Sequence, residues 1–219
     1  MKEYKPNLES ASIFAIPIYK GKLDGISDEL GLERIVRDNI IEFDISREHL
    51  PWQSPDIVPL QTKEDLYTLE ELNPLMELIG EASYNVAVQS FKYDPTYTVN
   101  FTSVWGNIQR QGNVMHEHSH SNNIFSGVFY INANEKHPPL QIHKPDYGVG
   151  FSPTVIEENP INNGAVYYRP SKDSLIIFPS YLRHSVSTNI IEEDRISIAF
   201  NIMLRGRFDN PSSNQSVVF

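Results

Sequence analysis

Three of the chain's seven histidines alternate with other residues in the short stretch 115–120, which reads MHEHSH. They are His116, His118 and His120. Residues two apart in a β-strand point to the same face, so a strand here would direct these imidazoles to one side. Imidazole nitrogen is the commonest neutral metal ligand and suits iron, zinc, copper and nickel. The pattern therefore predicts that two neighbouring histidines of this stretch bind one metal ion, with a third ligand from elsewhere in the chain.

The strongest candidate for that third ligand is His184, in the stretch 174–188, SLIIFPSYLRHSVST. It follows an apolar run and a Phe-Pro-Ser turn, which predicts a position at the edge of a strand. Arg195 and Ser197 follow it and share one face of the next predicted strand. A guanidinium next to a hydroxyl is well suited to binding a carboxylate. These residues predict a metal site with an anion-binding site beside it.

Each of these residues, taken alone, has a simpler structural explanation. A histidine cluster often marks a solvent-exposed strand end, and a single histidine such as His184 is more often packed or exposed than bound to a metal. Arg195 follows the acidic run 192–194, EED, and could form a surface ion pair with it. The order of the residues favours the metal site: paired histidines, a long β-rich insert, one histidine and then Arg-x-Ser.

Helical patterns occupy much of the chain before residue 96. Residues 26–43 carry apolar residues at helical spacing, with Ser27 as the predicted N-cap. A second helical segment covers 62–91, in which Pro74 is predicted to begin a second helix or to kink a continuous one. The run 12–19, SIFAIPIY, predicts a first strand at the edge of a sheet.

Short β-rich runs separated by Gly, Pro, Asn and Asp follow each other from about residue 96. Such a series predicts an all-β sandwich, jelly roll or barrel. The fold class is therefore mainly β with α. We predict a single domain over 1–219, with an N-terminal strand and helices (1–95), a β core (96–207) and a tail (208–219) that frays or packs on a partner.

The composition excludes several classes of protein. The chain of 219 residues has a formal net charge of −10, which does not fit a binder of duplex nucleic acid because such binders need a cationic surface. It contains no cysteine, which excludes disulfides and thiolate metal sites. No secretory signal or membrane-spanning run is visible, so we expect a cytoplasmic protein without a membrane partner. A homodimer through an edge strand or sheet face is a further expectation.

Several stretches carry a resemblance to one enzyme family. They are 14–19 (FAIPIY), 105–107 (WGN), 112–132 (GNVMHEHSHSNNIFSGVFYIN), 177–186 (IFPSYLRHSV) and 195–201 (RISIAFN). Together they resemble the Fe(II)/2-oxoglutarate-dependent oxygenases, in particular a bacterial and phage subgroup, over most of the chain. In that subgroup a glycine lies six residues before His-x-His, and Ser-Gly begins six residues after it. The residues that keep this spacing are Gly112, His118, His120 and Ser126.

The resemblance implies a double-stranded β-helix, a cupin-like jelly roll, with supporting N-terminal helices. It implies that His118, His120 and His184 bind Fe(II), and that Arg195, assisted by Ser197, binds the distal carboxylate of the co-substrate 2-oxoglutarate. The implied function is a dioxygenase that uses O₂ and couples oxidative decarboxylation of 2-oxoglutarate to C–H oxidation, typically hydroxylation. His116 becomes an additional histidine, close to the metal or at the mouth of the pocket.

The sequence departs from the family at one position. Most members have His-x-Asp or His-x-Glu, the two-histidine, one-carboxylate set, whereas His120 stands here at the carboxylate position. A neutral third ligand leaves Fe(II) with more net positive charge. Two alternatives therefore stay open beside the oxygenase. One is a histidine-ligated metalloenzyme that does not use 2-oxoglutarate, such as a zinc hydrolase or a three-histidine dioxygenase. The other is a non-catalytic cupin-like binding module.

Further polar residues are weaker candidates for the pocket. They are Asn107, Tyr130, Gln141, His143, Tyr167, Tyr168 and Asn201. The Gly/Pro-rich segment 145–164 predicts a lid or a substrate-recognition loop, since loops of that length usually have a function. The substrate itself is expected to be a small molecule or a protein side chain rather than a nucleic acid.

Overall fold

The computed structural model describes residues 15–41, 57–145, 153–159, 161–209 and 216–218. Strands dominate these residues. In chain order the strands are β1 (Tyr19–Lys22), β2 (Leu60–Gln61), β3 (Thr98–Gln109), β4 (Met115–His118), β5 (Phe125–Asn132), β6 (Leu140–His143), β7 (Ala165–Tyr168), β8 (Ser174–Pro179), β9 (His184–Val186), β10 (Arg195–Arg205), β11 (Arg207–Asp209) and β12 (Ser216–Val218).

Two antiparallel sheets form the core of the molecule. The larger sheet has the strand order β1-β8-β5-β10-β3-β2, and the smaller sheet has the order β4-β9-β6-β7. From β3 onward the chain passes repeatedly between them: β3, β5, β8 and β10 lie in the larger sheet, and β4, β6, β7 and β9 lie in the smaller one. This is the connectivity of a jelly roll, so the predicted double-stranded β-helix is confirmed.

The larger sheet is covered on both faces. One face packs against the smaller sheet through an apolar cluster that includes Val128, Ile176, Leu140 and Val186. The other face packs against the helices, and its cluster includes Ile198 and Phe200 from the central strand β10. The helices thus support the sheet from behind and leave the space between the two sheets for a site.

The helices are shorter than the sequence pattern predicts. They are α1 (Ile26–Glu29), α2 (Leu32–Asp38), two short 3₁₀ helices (Leu66–Thr68 and Glu70–Leu72) and α3 (Asn73–Asn85), which continues into a π-helical turn (Val86–Ser90). The single helix predicted over 26–43 is wrong. It divides at Gly31, whose φ of 60° lies in the left-handed region that favours glycine, and it ends at Asp38.

Of the two predicted helix starts, the one at Ser27 is wrong and the one at Pro74 is confirmed. Ser27 is not the N-cap; that position is Gly25, and the backbone N–H groups of both residues donate to the carboxylate of Asp173 at 2.9 and 3.1 Å. Pro74 lies in the first turn of α3, as predicted, because a proline there gives up no helical hydrogen bond. The predicted helical segment 62–91 does not begin with a helix, because Thr62 and Asp65 form isolated β-bridges with Ile40 and Val104 and the first helical turn begins at Leu66.

Both ends of the described chain form strands. The predicted first strand starts later than expected, at Tyr19, where β1 pairs with β8 at the sheet edge; residues 12–14 lie outside the described residues. In the predicted tail, β11 pairs with β12 as a small separate sheet. None of the helices in the described part of the chain is long and apolar enough to span a membrane.

Candidate metal centre

Three histidines meet at one end of the smaller sheet, where β4 ends and β9 begins. His118 is the last residue of β4 and pairs directly with His184, the first residue of β9. His120 lies two residues beyond the end of β4. One ring nitrogen from each of the three lies within 4.8 Å of the other two. This group could therefore hold a metal ion, as the spacing of the residues predicts.

Two of the three imidazoles have a fixed tautomer. Nδ1 of His118 lies 2.7 Å from the carbonyl oxygen of His116, and Nδ1 of His184 lies 3.0 Å from that of Leu182. A carbonyl oxygen only accepts hydrogen bonds, so each Nδ1 carries the proton and each Nε2 keeps a lone pair. Such a bond orients a metal-binding histidine and raises its basicity.

The protonation of the cluster suits a metal ligand. Burial, and to a smaller extent the neighbouring His118, lower the pKa of His184 to about 3. Burial and the same neighbour lower the pKa of His120 to about 4. Both imidazoles are therefore neutral at pH 7, which is the form that binds metals.

His116 does not join the cluster. A register shift between Met115 and His118 places a bulge in β4, so the regular alternation across the three histidines is broken. The His116 side chain is exposed, and its carbonyl orients His118 instead. Glu117, the nearest carboxylate in sequence, forms an exposed ion pair with Arg183. Among the described residues the cluster thus consists of three histidines without a carboxylate.

A cavity extends from the histidines into the space between the sheets. Its walls are mostly apolar and include Val128, Leu140, Phe178 and Val186. Besides the histidines and Trp105, five polar side chains also line it: Asn107, Ser126, Tyr130, Arg195 and Ser197. Ser197 pairs across the ladder with Asn107 on one side and with Tyr130 on the other, so three central strands bring these groups together.

Arg195 is a buried cation without a counter-ion among the described residues. Its side chain is 3% exposed, Nη2 donates to the hydroxyl of Tyr130 at 3.2 Å, and Nε is buried with no hydrogen-bond partner. The acidic run before it does not pair with it, since Asp194 binds Arg37 instead. A buried guanidinium costs much free energy unless it is paired, so this side chain fits an anionic ligand in the cavity.

Tyr130 and Asn107 leave hydrogen-bond donors available at the polar end of the cavity. Burial raises the pKa of Tyr130, although Arg195 partly opposes this, so its hydroxyl keeps its proton. That oxygen accepts from Arg195, and its hydrogen is left to donate. Oδ1 of Asn107 accepts from Nε2 of Gln61 at 2.8 Å, which directs the Asn107 side-chain N–H groups elsewhere. The polar end of the cavity is thus a set of donors, which suits a carboxylate.

The remaining predicted pocket residues lie away from the cavity. Gln141 and His143 point to the outer face of the smaller sheet, where they bond to the hydroxyls of Ser187 and Ser185. Asn201 is buried in hydrogen bonds to Ser126 and Ser103.

The two candidate tyrosines of β7 also lie away from the cavity. Tyr167 is exposed on this edge strand, and the ring of Tyr168 lies under Lys20. Of the predicted loop 145–164, residues 146–152 and 160 lie outside the described residues.

Sequence reasoning missed two residues that shape the site. The ring of Trp105 contacts that of His120 edge-on, with centroids 5.7 Å apart. Trp105 had a signal, because it lies in one of the stretches that resemble the family. Gln61, which orients Asn107, had none: it belongs to a strand of two residues whose pairing with β3 is not encoded in any local pattern.

The candidate site lies in a part of the chain that matches a known protein family. Residues 103–201, which include the three histidines, Arg195 and Ser197, match the model of the family described as "Putative 2OG-Fe(II) oxygenase". The resemblance seen in the sequence is confirmed. No curated protein matches the chain in sequence.

Solved structures of 2OG-Fe(II) oxygenases share the fold. A 2OG-Fe(II) oxygenase family oxidoreductase from Burkholderia pseudomallei is 12% identical, with a TM-score of 0.54 over 84% of this chain and 83% of that one. A Pseudomonas putida prolyl-4-hydroxylase is 13% identical, with a TM-score of 0.57 over 85% and 92%. HygX from Streptomyces hygroscopicus, solved with nickel and 2-oxoglutarate bound, is 10% identical, with a TM-score of 0.52 over 84% and 81%. At these identities the similarity establishes the fold alone.

Proposed function

We propose that the protein is an Fe(II)- and 2-oxoglutarate-dependent dioxygenase that hydroxylates a small molecule or a protein side chain. The observation that carries this proposal is the buried guanidinium of Arg195, which lies in the same cavity as the histidine cluster and has no counter-ion among the described residues. A metal site alone needs no such cation. A dianionic co-substrate that also binds the metal explains both features.

Each group of the cavity has a role in this proposal. His118 and His184 would hold the metal through Nε2 with His120 as the third ligand, and Arg195 with Ser197 would bind the distal carboxylate of 2-oxoglutarate. When bound, Fe(II) and 2-oxoglutarate supply the oxidising chemistry, in which O₂ converts 2-oxoglutarate to succinate and CO₂ and one oxygen atom enters the substrate.

The remaining groups of the cavity orient the co-substrate and keep water out. Tyr130 and Asn107 donate hydrogen bonds that fix its position. The apolar walls exclude water from the metal, which keeps the electrostatic interactions inside the cavity strong.

A second candidate follows from the ligand set. The described residues offer no carboxylate at the metal site, and a site of three neutral histidines also suits zinc or a dioxygenase without a co-substrate. Such an enzyme would bind a metal but would not need Arg195. Dependence on 2-oxoglutarate therefore separates the two candidates.

An anaerobic titration tests the proposal. Metal-free protein receives Fe(II) and then 2-oxoglutarate, while the visible charge-transfer band of the chelate is recorded. We expect a band that saturates at about one equivalent of Fe(II) and is absent from His184→Ala. Binding of Fe(II) without a band would favour the second candidate, and no binding of any metal would favour a non-catalytic binding module.

A further inference from the structure

A chain of buried polar side chains crosses the larger sheet beside the metal site. It runs from Ser103 on β3 through Asn201 on β10 and Ser126 on β5 to Ser180, the residue after β8. The contacts are 2.9 Å from Asn201 Nδ2 to Ser103 Oγ, 2.7 Å from Ser126 Oγ to Asn201 Oδ1, and 2.8 Å between the oxygens of Ser126 and Ser180. All four residues are at most 8% exposed.

The direction of these hydrogen bonds is fixed by chemistry. Oδ1 of Asn201 only accepts, so the hydroxyl of Ser126 donates to it. The single hydrogen of Ser126 is then used, so the hydroxyl of Ser180 must donate to Ser126. Each member holds its neighbour in one orientation, and loss of Ser126 would leave a donor and an acceptor buried without partners.

The chain ends at a metal ligand. The carbonyl oxygen of Ser180 accepts the backbone N–H of His120 at 3.1 Å, while the N–H of Ser180 donates to Ile124 at 3.1 Å. The Ser180 peptide is thus held by its side chain, its N–H and its carbonyl. Its position determines where the backbone of His120 lies.

His120 depends on this support more than the other two histidines do. His118 and His184 lie in paired strands, and a carbonyl oxygen orients each of their rings. His120 lies beyond the strand, and its side chain has no hydrogen bond to any described residue. Its position rests on the backbone bond to Ser180 and on the ring of Trp105.

A local irregularity in the sheet lies next to the chain of side chains. Ser103 pairs directly with Asn201, and the pairing of β10 with β3 shifts immediately after it, between Asn201 and Ile202. Bulges of this kind often re-aim a side chain next to a functional site. Apolar side chains would fill the same space at a similar cost in folding free energy. The four polar residues therefore indicate a role in positioning a neighbouring group.

We propose that Ser103, Asn201, Ser126 and Ser180 form a positioning network for His120, the ligand at the place where related enzymes have a carboxylate. The inference rests on the proposed function, because it requires His120 to bind the metal. Through the Ser180 peptide the network sets the distance of the His120 imidazole from the other two, and thereby the affinity and geometry of the metal site.

Cobalt(II) binding tests the network without any need for turnover. We expect Ser126→Ala to weaken Co(II) binding about tenfold and to change the visible d–d spectrum of the bound ion, because supporting residues of a metal site have effects of this size. The matched control is Ser83→Ala. Ser83 is a fully buried serine of α3 whose hydroxyl donates to Ile79 at 2.7 Å, far from the site in the fold. The control should leave affinity and spectrum unchanged.

The outcomes separate this inference from the function on which it rests. If wild-type protein binds Co(II) in a manner that requires His184, and Ser126→Ala binds it with the same affinity and spectrum, the network only stabilises the fold and the inference is wrong. If Ser126→Ala does not fold, Ser103→Ala at the far end of the network is tested in its place, with the same expected changes in Co(II) affinity and spectrum. A wild-type protein that binds no Co(II) overturns the proposed function and this inference together.

Discussion

Arg195 is the residue that best distinguishes an oxygenase from another metalloenzyme. It is buried, and it has no carboxylate partner among the described residues. We expect Arg195→Ala to raise the dissociation constant for 2-oxoglutarate about 10- to 100-fold, because a charge-assisted pair is lost. Tyr130→Phe should have a smaller effect, since it removes a neutral donor only.

The measurement for Arg195 is the anaerobic titration of 2-oxoglutarate into protein loaded with Fe(II). Arg169→Ala is the matched control, because this exposed arginine donates a hydrogen bond to the backbone carbonyl of Glu135, outside the cavity. The affinity for Fe(II) itself should remain unchanged in all three variants. An Arg195→Ala variant with the wild-type requirement for 2-oxoglutarate would remove this residue from the proposed role.

The buried His184 should make the metal-free protein sensitive to acid. Its pKa is lowered to about 3 in the folded state, whereas an unfolded chain has the ordinary value near 6.5. The unfolded state therefore binds more protons below pH 6.5, and stability is lost as the pH falls from there. Between pH 7.5 and pH 5.5 this one group should cost about 1 kcal/mol of unfolding free energy.

Urea unfolding of the metal-free protein at these two pH values checks this expectation. The variant His184→Asn has no titratable group at this position. Its loss of unfolding free energy between pH 7.5 and pH 5.5 should therefore be smaller than that of the wild type by about 1 kcal/mol. An equal loss in both proteins would mean that His184 is readily protonated in the fold. Bound metal should suppress the effect, because it competes with protons for the same nitrogen.

Several site residues could be predicted from sequence because their chemistry and their spacing coincide. His118, His184, Arg195 and Ser197 all reach one cavity, as the strand patterns indicate. His116, the first histidine of the alternating set, does not join the cluster because of the bulge in β4. No local sequence pattern predicts that bulge.

At the level of elements, the short strand β6 explains one misplacement. In the sequence LQIH the apolar residues Leu140 and Ile142 are buried between the sheets. Strict alternation then sends Gln141 and His143 to the outer face. The alternation of apolar and polar residues in this strand therefore already indicates the outer face for Gln141 and His143. The break between α1 and α2 is a similar case, because Gly31 is an ordinary signal for the end of a helix.

Strand β5 packs so closely against its neighbours that Gly127 has no room for a side chain. A Cβ atom there would lie 2.2 Å from Cζ of Phe200 and 2.5 Å from the carbonyl oxygen of Ile176. We expect Gly127→Ala to lower the free energy of unfolding by about 2–3 kcal/mol, because the backbone of β8 cannot easily move. Urea unfolding measures the change.

The matched control for this strand is Gly21→Ala in β1. A Cβ atom at Gly21 meets nothing within 4 Å, so the change should stay within about 0.5 kcal/mol. A Gly127→Ala variant as stable as this control would show that β5 and β8 separate without cost. Because Gly127 lines the cavity next to Ser126, metal binding should weaken along with stability.

For the whole molecule, the site joins the two sheets. The proposed metal ligands belong to β4, β9 and the segment after β4, whereas the proposed co-substrate groups belong to β3, β5 and β10 of the larger sheet. A ligand that contacts both ends of the cavity therefore holds the two sheets together. Ligands that bind only the folded state raise stability by mass action, by about 2.7 kcal/mol at a hundredfold excess over the dissociation constant.

We therefore expect metal and 2-oxoglutarate to stabilise the protein cooperatively. Thermal unfolding with Ni(II), which avoids turnover, should show a small rise in Tm with 2-oxoglutarate alone, a larger rise with Ni(II), and the largest rise with both. In His184→Ala the part that depends on the metal should disappear, and in Arg195→Ala the further rise from 2-oxoglutarate should disappear. If 2-oxoglutarate raised the Tm equally with and without metal, the two ends of the cavity would bind independently. The histidines and Arg195 would then serve two separate ligands rather than one co-substrate.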